Sequence, residues 1–163
     1  MRIKSSALGI AAFLSVLTTP VLADDTNCQG SLGNVQADNL HVPSGAACSL
    51  NGTIVKGNIK IGSNANLKAE GIDVDGDIQA ENASSVTVAN STVGGNIQIE
   101  QSDVVNISGN TVNGDIQLEE NRGQLSISDN RVGGNLQCKE NSRQPTGGNN
   151  KANGEKEDQC ANL

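Results

Sequence analysis

Short apolar–polar alternations recur at a fixed interval along most of this chain. Leu40, Ile59, Ile78, Ile97, Ile116 and Leu136 form one apolar column, and two residues on Val42, Ile61, Ala80, Ile99, Leu118 and Cys138 form another. A second alternating run in each period contributes Cys48, Leu67, Val86, Val105 and Leu125, followed by Leu50, Ala69, Val88, Ile107 and Ile127. Val55, Val74, Val93, Val112 and Val132 make a fifth column. The step is 19 residues, with one step of 20 whose extra residue falls between Glu119 and Leu125. Alternation of period two marks strands with one buried face. Equivalent strands that return once per period must run in the same direction, so hairpins are excluded and the copies stack as parallel strands.

The predicted architecture is therefore all-β: a right-handed parallel β-helix of about six 19-residue coils, with three faces. The hand follows from the strong preference of parallel crossovers. At ~4.8 Å per strand such a stack is roughly 25–30 Å long. The longer step is assigned to a turn around Asn121-Arg122-Gly123. The glycines before each corner Asn or Asp (Gly57, Gly76, Gly95, Gly114, Gly134) are expected to supply backbone freedom.

The repeats occupy 39–140, with an N-terminal cap over 24–38 and a C-terminal cap over 141–163, the latter rich in Gly, Asn and charge. Ahead of them, Arg2 and Lys4, the apolar run Ala7 to Leu17 and the sequence Val21-Leu22-Ala23 form the three regions of an export signal, 1–23, cleaved after Ala23. The apolar run is short against the ~20 residues of a membrane-spanning helix. No membrane insertion is expected once the signal is removed, and the mature chain is placed in a secreted or periplasmic compartment.

Composition sharpens this picture. The 163 residues include one Phe, one Met and no Tyr or Trp, and both Phe13 and Met1 lie inside the export segment. A narrow lumen of stacked Ile, Val and Leu accounts for a core without rings. Removal of Arg2 and Lys4 leaves 9 basic against 18 acidic residues. An acidic chain with no ring for base stacking excludes nucleic acid as a partner.

Four cysteines permit three pairings. Cys48 and Cys138 occupy lumen columns more than four coils apart, around 20 Å and beyond disulfide reach. Cys28 precedes Cys48 by 20 residues and Cys160 follows Cys138 by 22, about one coil each. The predicted bonds are Cys28–Cys48 and Cys138–Cys160, stapling the two ends. With no close cysteine pair and a single outward histidine, His41, no zinc site is expected.

The outward rows are the candidate binding surface. His41 and Lys60 are followed by Gln79, Gln98, Gln117 and Gln137, and two residues on stand Glu81, Glu100, Glu119 and then Lys139. Three carboxylates at ~4.8 Å repel unless they are solvated, protonated or bridged by cations. The favoured reading is a solvated face beside a stabilising Gln ladder. Calcium across Glu81, Glu100 and Glu119 is the alternative, set lower because calcium needs more convergent oxygens. The corner row Asn39, Asn58, Asp77, Asn96, Asp115 and Asn135 is read as structural, its short side chains bonding neighbouring backbone. Asp73, Asp75 and Asp77 are read as a turn, lacking the distal Glu of a calcium loop.

The repeated V-x-G-[ND]-I segment resembles the bacterial polymer-forming solenoids called bactofilins, and pectin-lyase-type right-handed β-helices, over about Leu40 to Cys138. The resemblance implies a fold, and it brings two alternative functions: a self-assembling filament or matrix subunit, and a small polysaccharide-active enzyme. No carboxylate pair or nucleophile–histidine arrangement stands out, so no catalytic residue and no cofactor is assigned. The function expected is that of an exported, non-catalytic module, structural, adhesive or ligand-binding. Its partner would be a cell-surface, polysaccharide or protein component, and its state a monomer or small assembly.

Overall fold

The computed structural model describes residues 21–163; residues 1–20 of the predicted export segment lie outside them. The chain winds into a parallel β-solenoid of about seven turns, about 19 residues per coil, with no helix among the described residues. The first face stacks Ile59–Ile61, Ile78–Glu81, Ile97–Glu100, Ile116–Glu119 and Leu136–Lys139. The second stacks Ala47–Asn51, Asn66–Glu70, Ser85–Ala89, Val104–Ser108 and Leu125–Ser128. The third consists of two-residue strands, Ile54–Val55, Asp73–Val74, Thr92–Val93, Thr111–Val112 and Arg131–Val132. The long strand Gln36–Val42 bends from the third face to the first, joining both into one 14-stranded sheet, while the second face is a separate 7-stranded sheet.

Register explains why an aliphatic column is sufficient as a core. Ile97 pairs with Ile78 on one side and Ile116 on the other, and Val93 sits likewise between Val74 and Val112. All five apolar columns are buried in the lumen. Burial of each such side chain contributes about 1.5–3 kcal/mol, and β-branched side chains suit the pleat. The longer step is absorbed where expected: Val105 pairs with Leu125, while the Arg122 N–H donates to the Ser102 carbonyl, leaving the extra residue in the turn between them.

Both predicted disulfides are present, Cys28–Cys48 with Cα atoms 5.5 Å apart and Cys138–Cys160 with Cα atoms 5.2 Å apart. Disulfides of this kind are typical of extracellular or periplasmic proteins. At the N-terminal end Val21–Asn27 pairs with Gln36–Val42, and Gly30–Leu32 pairs with Ala47–Asn51. The expected cleavage after Ala23 would fall inside the first of these strands. The tail 141–163 carries Thr146–Gly148, Lys151–Ala152 and Lys156–Asp158, which add one strand to each face and make a further coil. Three of its lumen positions lose their apolar character: Gly147 follows Ile127, Lys156 follows Leu136 and Asp158 follows Cys138, while Ala152 follows Val132 and packs against the core. The chain then turns across the end of the stack, where Cys160 is buried and Leu163 packs against the core.

Corner chemistry differs from the sequence-based expectation in one respect. Gly57, Gly76, Gly95, Gly114 and Gly134 do not adopt positive φ. A Cβ at each would instead run into the side-chain oxygen of the corner Asn or Asp one coil earlier: Asn39, Asn58, Asp77, Asn96 and Asp115 in turn. Close approach, not conformational freedom, demands glycine there. Positive φ belongs to the other two corners, at Asn82, Gln101, Glu120 and Glu140 after the first face, and at Gly71, Asn90, Gly109 and Asp129 after the second. Gly114→Ala should therefore destabilise the fold by about 1–3 kcal/mol, the range for overpacking, measured by equilibrium urea unfolding. Asn96→Ala should cost less in that background than in wild type, because it removes one of the two oxygens the new methyl meets.

Candidate functional site

The two candidate rows lie side by side on the first face, fixed by strand register. Gln79, Gln98, Gln117 and Gln137 are consecutive partners, as are Glu81, Glu100, Glu119 and Lys139. The Gln row is a bonded ladder. Gln79 Nε2 donates to Gln98 Oε1 at 3.0 Å, Gln98 Nε2 to Gln117 Oε1 at 2.9 Å, and Gln117 Nε2 to Gln137 Oε1 at 3.1 Å. Gln137 Nε2 ends the run on Glu157 Oε2 at 2.8 Å. Each amide is half-buried, so the ladder stiffens the face while leaving one edge of every amide toward solvent.

Glu81 and Glu100 are exposed and Glu119 is half-buried. Lys60, Gln79, Glu81, Gln98 and Glu100 border a shallow groove on the outside of this face. Among the described residues no group of three or more His, Cys, Asp or Glu side chains is placed to hold a metal ion. The Asp73, Asp75 and Asp77 carboxylates go separate ways. Asp75 pairs with Lys56 at 3.2 Å, Asp77 accepts the Asn96 backbone N–H at 2.7 Å, and Asp73 stands on the outer side of a third-face strand. His41, exposed, has Nδ1 3.1 Å from Asn27 Oδ1.

The corner row carries out the backbone bonding expected of it. Asn39, Asn58, Asp77, Asn96, Asp115 and Asn135 each accept, through Oδ1, the backbone N–H of the equivalent residue one coil later, at 2.6–3.0 Å.

Two further ladders, inside the lumen, escape a reading based on apolar columns. At the corners after the first and second faces, a positive-φ residue is followed by a side chain that points inward. After the second face these are Ile72, Ser91, Asn110, Asn130 and Asn150, and after the first face Ala83, Ser102, Asn121, Asn141 and Gln159. Asn121 Oδ1 accepts the Ser102 N–H at 2.9 Å, while its Nδ2 donates to the Ile99 carbonyl at 3.0 Å and to Asn141 Oδ1 at 2.9 Å. Asn130 repeats this set with the Asn110 N–H, the Ile107 carbonyl and Asn150 Oδ1. No buried side-chain N or O among the described residues lacks a partner. The sequence signal was present as the same 19- or 20-residue step linking Ser91, Asn110, Asn130 and Asn150, in segments that read as solvated turns.

Among the described residues no helix is long and apolar enough to cross a membrane. Comparison with protein-family models, curated proteins and solved structures finds no match. The site is therefore described by its own chemistry: rigid, flat rows of amide and carboxylate groups repeating at the strand spacing.

Loss of an internal rung should be felt strongly. Asn121→Ala strands the Ser102 N–H and opens a cavity, and it should cost about 2–4 kcal/mol. Asn121→Ser should cost less, because the Ser102 hydroxyl already serves the Ala83 N–H at 3.1 Å. Equilibrium denaturation of both variants measures the difference.

Proposed function

We propose that this chain is an exported, non-catalytic β-solenoid, secreted or periplasmic, that presents a rigid polar surface to a cell-surface, polysaccharide or protein partner. The observation that carries the reading is the continuous Gln79–Gln98–Gln117–Gln137 ladder, bonded rung to rung beside the Glu81, Glu100 and Glu119 row. A side chain held by two neighbours is pre-organised, so a partner engaging the free edges of these amides spends little on ordering them. The two disulfides suit an oxidising compartment and hold the terminal coils.

Charge at the end of the lumen favours a discrete module over a filament. Solenoid ends expose strand edges, and inward-pointing charges are one device that blocks their pairing. Lys156 and Asp158 stand at lumen positions of the last coil, and Lys156 Nζ reaches back to the Leu163 carbonyl at 2.6 Å. A second copy docking there would have to bury both charges.

The disulfide-bonded protein should be retained saturably on cell-envelope or extracellular material and should leave bound glycans at unchanged mass, read by affinity capture followed by mass spectrometry. It should sediment as a monomer as its concentration is raised. Depolymerisation of any glycan assigns an enzyme instead, and concentration-dependent growth of the particle assigns the filament.

A further inference from the structure

Charge is distributed unevenly along the solenoid axis. From Asp24 to Glu120 the chain holds 13 carboxylates and 3 lysines, and from Asn121 to Leu163 it holds 5 carboxylates and 6 basic residues. The acidity that repels anions as a whole thus belongs to the earlier coils, and the last two coils are close to neutral.

The third face concentrates this change. Its outward residues pair in register as Asp73, Thr92, Thr111, Arg131 and Lys151. Arg131 and Lys151 are therefore two cations on adjacent strands, ~4.8 Å apart along the axis. Like charges placed directly opposite destabilise a sheet. Four other basic groups are relieved: Lys56 pairs with Asp75, Lys139 with Glu140, Arg122 Nη2 donates to Asn82 Oδ1 and Lys156 Nζ to the Leu163 carbonyl, while Arg143, also without a partner, lies outside the strands and faces no cation in register. Lys60 and Lys68 stand between uncharged neighbours in their rows or beside His41 alone. Arg131 and Lys151 have no hydrogen-bond or ion-pair partner among the described residues, although each faces the other.

Thr111, Asn113, Arg131, Gly133, Lys151 and Asn153 line a shallow groove on one side of this pair. No carboxylate borders it. Its centre is bare because a Cβ at Gly133 would strike the Asn113 carbonyl oxygen. On the other side of the pair lies Asp129, whose Oδ1 already accepts Asn149 Nδ2 at 3.2 Å.

We propose that this groove binds a phosphate group. A doubly charged oxyanion can answer both cations at once, whereas a single carboxylate neutralises only one. The planar guanidinium of Arg131 offers a paired set of N–H donors, the Lys151 ammonium supplies a second charge, and the Thr111 hydroxyl and the Asn113 and Asn153 amides add neutral donors at the rim. The described chain has no aromatic ring with which to stack a base, so the group recognised is the phosphate itself. It is either free in solution or borne on a lipid headgroup. The site lies on a different face from the Gln and Glu rows and stands independently of their proposed role.

The test is amide chemical-shift mapping on the isotope-labelled, disulfide-bonded protein at constant ionic strength. The probes are inorganic phosphate, tripolyphosphate, and vesicles containing phosphatidic acid, whose phosphomonoester can carry two charges, with phosphatidylcholine vesicles as control. Soluble phosphates should shift Thr111, Asn113, Gly133 and Asn153 saturably, tripolyphosphate at lower concentration than phosphate. If only phosphatidic acid vesicles perturb these residues, the headgroup is the source. The Arg131→Gln, Lys151→Gln double variant should bind at least about tenfold more weakly, a loss of about 1.4 kcal/mol. Lys68→Gln should bind as wild type. Both altered positions are exposed, so the double variant should melt at or above the wild-type temperature without ligand. Absence of localised shifts with every probe, or equal weakening by Lys68→Gln, overturns the proposal.

Discussion

Every level of this structure depends on one constraint: successive coils stack in register at a single strand spacing, so each side chain has its own counterpart directly above and below it. In an ordinary core a cavity is filled by residues of different shapes meeting from different elements. Here Ile97 meets Ile78 and Ile116, and Val93 meets Val74 and Val112. Only side chains that pack well against copies of themselves at ~4.8 Å are admitted. Aliphatic residues meet that demand, and the lack of rings in the coils follows from the geometry of the lumen.

The same constraint converts polar side chains into ladders. An amide carries both donors and acceptors, so one Asn above another can bond in a line without any other partner. Outside, this gives the Gln row, while the corner row of Asn and Asp repeats a bond from Oδ1 to the backbone N–H one coil later; inside, it gives two columns that replace apolar packing by hydrogen bonds. From the coil of Ile72 onward the inner columns change in one direction, from Ile72 through Ser91 to Asn110, Asn130 and Asn150, and from Ala83 through Ser102 to Asn121 and Asn141; before Ile72 stands the buried Thr53, its hydroxyl bonded to the Gly33 carbonyl. Apolar burial thus holds the corners at Ile72 and Ala83, and buried amide bonds hold those of the later coils. Bonds within a low-dielectric interior strengthen one another along a chain, which stabilises an end whose outermost lumen positions carry Gly147, Lys156 and Asp158.

What could be read from the residues beforehand follows the same logic. The five apolar columns, the parallel stacking, the site of the inserted residue and both disulfides were legible because each is a repeated spacing of a distinctive residue type. The inner Asn columns were not, because an Asn after a tight turn looks the same whether it faces water or the lumen; only the positive φ of the residue before it turns Asn110 and Asn121 inward. The coil formed by 141–163 was hidden for a related reason. As the last layer it has no coil above it to exclude water, so Gly147, Lys156 and Asp158 could replace the apolar residues whose alternation identifies a strand. The corner glycines were recognised but assigned the wrong cause, since the oxygen they avoid lies 18 or 19 residues earlier and becomes a neighbour only on coiling. On the candidate surface the Gln row was legible as a ladder, whereas the solvent-facing grooves depend on which neighbouring positions are empty.

Stacking like on like also determines where such a molecule can carry specific contacts. A column that repeats one residue offers the same chemistry at every step, and a partner sliding along it by one coil meets the same groups again. Position along the axis is defined only where a column changes identity. On the first face this happens where Lys60 gives way to Gln79 and where Glu119 gives way to Lys139. On the third it happens where Thr111 gives way to Arg131. The uniform middle of the solenoid supplies rigidity, and the changes toward its two ends supply address.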